Sequence, residues 1–96
     1  MQTYAIRRRN AWGSAEELET VASRSAKVGN EEMSDQVRWI RSYVVEEDDG
    51  TLGTICIYQA TGPEAIREHA NRVEMPADDI VLVARTVVVR DDPAAV

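Results

Sequence analysis

The sequence predicts an α+β domain of the ferredoxin-like type, βαββαβ, with a four-stranded antiparallel sheet and two helices on one face. Three observations carry that expectation. Segments of period two and period 3.6 follow one another in that order, helix-start signals stand at Ser14 and at Gly62-Pro63, and a turn-forming stretch, EDDGTLG, separates two runs rich in β-branched and aromatic residues.

The first strand is read over Thr3 to Arg8, where Tyr4 and Ile6 share one face. Arg7, Arg8 and Arg9 then read as a solvated run at a strand edge rather than as an anion site. Ser14 with Glu17 three residues on makes a capping-box pattern, and Leu18, Val21, Ala22, Ser25 and Val28 follow at helical spacing with one face inward. Gly29 and Asn30 suit the end of that helix, and EEMSD reads as a loop or short extra turn. Residues 37 to 60 form a hairpin, with Val37, Trp39, Tyr43 and Val45 on one face of its first strand and Ile40 and Val44 on the other. Pro63 opens a second helix that runs to about Val73 and stops before Pro76.

IVLVARTVVV reads as a long final strand, apolar on both faces: Leu82, Ala84 and Val88 point one way, Val81, Val83, Val87 and Val89 the other. The domain is expected over residues 1–90, with 91–96 a flexible tail. A ferredoxin-like sheet leaves one face open, so apolar residues on both faces imply a cover. A second copy of the chain is the simplest, giving a homodimer of the α/β-barrel kind.

Composition narrows the function. Of 96 residues, 44% are apolar and 29% charged, as in soluble globular proteins, and no apolar run approaches a membrane span. The amino terminus lacks a secretory signal pattern, so a cytoplasmic location is expected, with no membrane partner. A net charge of -6 repels a phosphate backbone and argues against nucleic acid. Cys56 is the only cysteine, so no internal disulfide can form.

His69, the only histidine, shares a helical stripe with Ile66, Ala70 and Val73 and so points towards the sheet. Buried there, it is either a structural imidazole bonded to a neighbour or part of a site. Cys56, at mid-strand, is either core filling or, opposite His69, a ligand to a borderline cation or half of a nucleophile and base pair. Glu68 forms a helix-surface pair with Arg72 but could join a metal site beside His69. Trp39, Tyr43 and Tyr58 build either core and interface or the lining of a ligand pocket.

The pattern W-x-x-S-Y-V at Trp39 to Val44, C-x-Y at Cys56 and Tyr58, E-A-x-x-x-H-A around His69 and P-x-D at Pro76 and Asp78 resembles the small bacterial nickel-binding ferredoxin-like proteins. The resemblance spans Tyr4 to about Val89 and departs at RRRNAWGS and at the longer turn EEDDGTLG. It implies a ferredoxin-like dimer able to bind nickel or another divalent transition metal, with His69 and Cys56 as the first candidates for ligands. Two other functions stay open. One is a dimeric barrel that binds a small molecule, or acts as a monooxygenase- or isomerase-like enzyme, with His69 in its pocket. The other is a structural or interaction module without metal. No complete catalytic set is readable, and a pocket lined by Trp39 or Tyr58 would favour the small-molecule reading.

Overall fold

The computed structural model describes residues 1–93. Six elements follow in the predicted order: β1 (Gln2–Trp12), α1 (Ala15–Lys27), β2 (Val37–Glu46), β3 (Leu52–Ala60), α2 (Pro63–Val73) and β4 (Asp79–Leu82). They form one antiparallel sheet of order β2-β3-β1-β4, so β1 is a central strand. Its register with β3 sets Tyr4 opposite Tyr58, Ile6 opposite Cys56 and Arg8 opposite Thr54. Alternation therefore places all six on the face that the helices cover. The core is closed there by Tyr4, Ile6, Cys56 and Tyr58 from the sheet, with Val28, Met33, Ile66 and Val73 from the other side.

Local chemistry explains the helix boundaries. Ser14 caps α1 by accepting from the Glu17 backbone N–H, 3.2 Å, while the Glu17 carboxylate accepts from the Gly13 N–H, 2.7 Å. The reciprocal pair is thus shifted one residue upstream of the usual box. Pro63 sits in the first turn of α2, where its missing donor costs nothing, and Glu74 ends the helix in the left-handed region at φ 64°.

Four expectations are corrected. α1 does not end at Gly29 and Asn30; a π-helical turn, Val28–Glu32, continues it, closed by Met33 N–H to the Val28 carbonyl at 3.0 Å. This wider turn swings Met33 inward, where it is completely buried. β1 runs past Arg8 to Trp12 because a bulge opposite Gly53, with Asn10 at φ 49°, keeps Trp12 paired with Leu52. In β2 a bulge at Ile40 shifts the alternation, so Trp39 pairs with Tyr58 on the helix side while Tyr43 pairs with Ile55 on the open side; these two residues do not share a face. β4 is four residues long, not ten: pairing with β1 ends at Leu82, and Val87, Val88 and Val89 lie exposed beyond it.

The expected tail 91–96 lies in part outside the described residues. Within them, Asp92 accepts from Arg41, 2.6 Å, and from the Tyr43 hydroxyl, 2.7 Å.

Candidate functional site: a cleft beneath the first helix

The inward stripe of α1 is only half used. Ser25 and Val28 are buried, but Leu18, Val21 and Ala22 are only half covered, because the amino-terminal half of the helix stands off the β2 side of the sheet. Beneath it lies a cleft of about 480 Å³, floored by Trp39, Ser42, Thr54, Cys56 and Tyr58. That volume is in the range that holds a small organic molecule. Trp12 and Val44 complete an apolar wall, and Arg8 and Glu19 supply the charged groups.

The floor is ordered by side-chain hydrogen bonds. The Trp39 indole stacks on Tyr58, ring centroids 6.0 Å apart and 7° from parallel, and its N–H donates to Ser42 Oγ at 2.8 Å. Ser42 in turn donates to Cys56 Sγ at 3.0 Å, and the thiol donates to Thr54 Oγ1 at 3.2 Å. The Tyr58 hydroxyl shares a hydrogen bond with Ser25 Oγ at 3.1 Å, and burial pushes the tyrosine's pKa up.

His69 stands behind this floor, against the end of α1. Its ring lies 5.5 Å from the Tyr58 ring, and Nε2 is 3.1 Å from the Ser25 carbonyl. A carbonyl only accepts, so the proton is on Nε2 and Nδ1 carries a lone pair. That Nδ1 is buried and has no partner. Burial is the main force lowering the His69 pKa, and the positive charges of Arg8 and Arg72 add to it, so the ring is neutral.

Cys56 and His69 thus lie on the same side of the sheet, but the thiol is hydrogen-bonded to Thr54 and Ser42, not to the imidazole. Glu68 is on the outer face of α2, 3.8 Å from Arg72. Among the described residues, no three His, Cys, Asp or Glu side chains are grouped to hold a metal ion. Tyr43 faces away, on the open side of the sheet, whereas Trp39 and Tyr58 line the cleft.

The sequence profile described as nickel responsive protein SCO4226-like matches residues 4–83. The chain belongs to this family. Among solved structures, the crystal structure of SCO4226 from Streptomyces coelicolor A3(2) superposes with a TM-score of 0.70 at 16% identity, over 88% of this chain and 99% of that one. At that identity the match speaks for the shared fold. No curated protein matches the chain. No helix among the described residues is long and apolar enough to cross a membrane.

For a member of a nickel-responsive family, the donor set within one chain is short. Nickel takes four or more ligands, and among the described residues the candidate donors offer one free imidazole lone pair, with the thiol and the Glu68 carboxylate each engaged elsewhere. The residues of a single protomer therefore do not fit the ion.

Arg8 is the residue that reading the sequence missed. The run Arg7-Arg8-Arg9 is not at a sheet edge. Arg7 pairs with Glu47 at 2.8 Å and Arg9 with Asp79 at 2.6 Å, while Arg8 goes under the helices and is 1% exposed. The signal was present: alternation from Tyr4 through Ile6 leads to Arg8 on the same face.

Proposed function

We propose that this member of the nickel responsive family is a small-molecule-binding protein whose site is the cleft between α1 and the β2–β3 half of the sheet. One observation carries the reading: an apolar cleft of about 480 Å³ with polar groups converging on its floor from Arg8, Ser42, Thr54 and Cys56. A purely structural domain of this size has no reason to hold α1 off the sheet, since filling that space with side chains would add stability. Trp12 and Trp39, the chain's two tryptophans, both line the cleft, so occupancy is readable from intrinsic fluorescence. The test is a titration of the protein and of an Ala22→Trp variant, whose added ring fills the space under α1. Ligands that bind the wild type are expected to lose affinity by about tenfold or more in the variant, and unchanged affinity would place their site elsewhere.

A second reading has its own observation. The buried, unpartnered Nδ1 of His69, with Nε2 held by a backbone carbonyl, is the arrangement of a metal-ligating imidazole. A nickel shell built on it would take its other donors from water or a second copy of the chain. Calorimetry with nickel and zinc on the tag-free protein, beside His69→Gln, decides it: stoichiometric binding lost in the variant supports this reading, and no binding removes it.

We also propose that the working form is a homodimer joined through the open face of the sheet. Ile55, Tyr43 and Val81 are exposed on that face, and apolar groups gathered on a sheet surface gain by being covered.

A further inference from the structure

Arg8 is an anomaly of charge. Guanidinium groups stay protonated under all physiological conditions, so Arg8 cannot escape its burial by losing a proton. Inside a protein such a charge is normally matched by a carboxylate. Arg8 has none. Among the described residues its Nη1 donates to the Pro76 carbonyl at 2.7 Å, its guanidinium carbon lies 6.0 Å from the centre of the Tyr58 ring, and its Nη2 is buried without a partner. Arg7 and Arg9, its neighbours on either side, have each taken a carboxylate. The cleft that Arg8 helps to line is otherwise walled by Trp12, Leu18, Trp39 and Val44, and the other charged side chain at it is Glu19. Arg41 borders the cleft at the sheet edge, but its place opposite Ile57 puts it on the open face, where its guanidinium is taken by Asp92.

From these observations we infer that the ligand of the cleft is an amphipathic monocarboxylate, with an aromatic or aliphatic body against the tryptophans and its carboxylate on the Arg8 guanidinium. This inference rests on the cleft being the binding site. A carboxylate supplies what Arg8 lacks, an acceptor for Nη2 and a countercharge in a poorly hydrated place, where such bonds are strongest. A single negative charge fits better than two, because Glu19 is also at the cleft and repels a second. Nη2 is closed off in the free protein, so the carboxylate reaches it with a rotamer shift in the wall, an ordinary accompaniment of binding. A buried cation left unmatched in the free state costs stability, and a ligand carboxylate offsets that cost on binding.

The experiment compares phenylbutyrate with its neutral amide, which keeps the shape and removes the charge. Binding is followed by tryptophan fluorescence and calorimetry on the wild type, Arg8→Met and Arg41→Met. The wild type is expected to bind the carboxylate at least about tenfold more tightly than the amide. Arg8→Met, which keeps most of the side-chain volume, is expected to bring the two within about twofold of each other while amide binding persists, and Arg41→Met to keep the preference. Equal binding of acid and amide by the wild type overturns the carboxylate inference and leaves the cleft as the site. A preference lost in Arg41→Met and kept in Arg8→Met overturns the assignment to Arg8. Binding of neither compound overturns the inference and the small-molecule reading together. The wild-type comparison needs no variant to fold.

Discussion

His69 is held by a single hydrogen bond, from Nε2 to the Ser25 carbonyl, in a place where a second proton would have nothing to meet. This makes its protonation a cost to the fold. The folded-state pKa lies below the ordinary 6.5, because burial penalises the charged ring and Arg8 and Arg72 repel it. Between that depressed value and 6.5 the unfolded chain binds more protons than the native one, so stability rises with pH. The contribution is present above 6.5 and is lost as pH falls from there through the folded-state value. Urea unfolding from about pH 7.5 down to about pH 5.5 is expected to show this loss in the wild type and to flatten in His69→Gln, which keeps a donor for Ser25 but cannot titrate. Truncation is harsher: His69→Ala removes a fully buried ring and leaves the Ser25 carbonyl without its side-chain donor, a loss of about 2–4 kcal/mol at neutral pH. Equal slopes in wild type and His69→Gln would mean that the ring titrates in the native protein as freely as in the unfolded one.

At the scale of elements, what could be read from the sequence was what local periodicity controls. Ser14 and Pro63 announced their helices, EDDGTLG announced the hairpin, and the common face of Val37 and Trp39 followed from simple alternation. The insertions could not be read. Ile40 and the Arg9–Ala11 stretch each add residues to one strand against a shorter partner segment, and every face assignment beyond such a point depends on a register that only the partner strand sets. Tyr43 was misplaced for that reason. The cleft was hidden more deeply, because it depends on how far α1 stands from the sheet, a tertiary distance that no spacing encodes. One helix end shows local strain that the sequence also concealed. Glu74 closes α2 at φ 64°, with its N–H on the Ala70 and Asn71 carbonyls, and its side chain is exposed. A side chain with a Cβ is strained in that conformation, and glycine is not. Glu74→Gly is therefore expected to raise stability by about 0.5–1 kcal/mol, read as a higher denaturant midpoint with an unchanged slope. A loss of stability would show that the Glu74 side chain has a partner worth more than the strain.

The whole molecule has two apolar surfaces that one chain does not satisfy: the cleft under α1 and the open face of the sheet. They lie on opposite sides of the sheet, so a partner on one leaves the other free. On the open face, Ile55 is 38% exposed, Tyr43 42% and Val81 57%, and the Arg7–Glu47 pair lies beside them rather than screening them. Beyond β4 the chain runs from one edge of the sheet to the other, since Asp92 is bonded to Arg41 and Tyr43 on β2. Along that path Val87, Val88 and Val89 are each more than 70% exposed. Three consecutive exposed valines next to a half-covered sheet are a surface that water disfavours, and a second copy presenting the same surface about a two-fold axis covers both at once. Light scattering on the wild type is expected to give twice the chain mass at micromolar concentration. Ile55→Glu, which puts a charge at the middle of the face, is expected to give the monomer while leaving ligand binding in the cleft within about twofold of wild type, because the cleft is on the other side. A monodisperse monomer for the wild type would remove the dimer and leave the valines exposed without a cover. A dimer that survives Ile55→Glu would move the interface off this face, and loss of ligand binding together with dimerisation would mean that the partner copy completes the cleft.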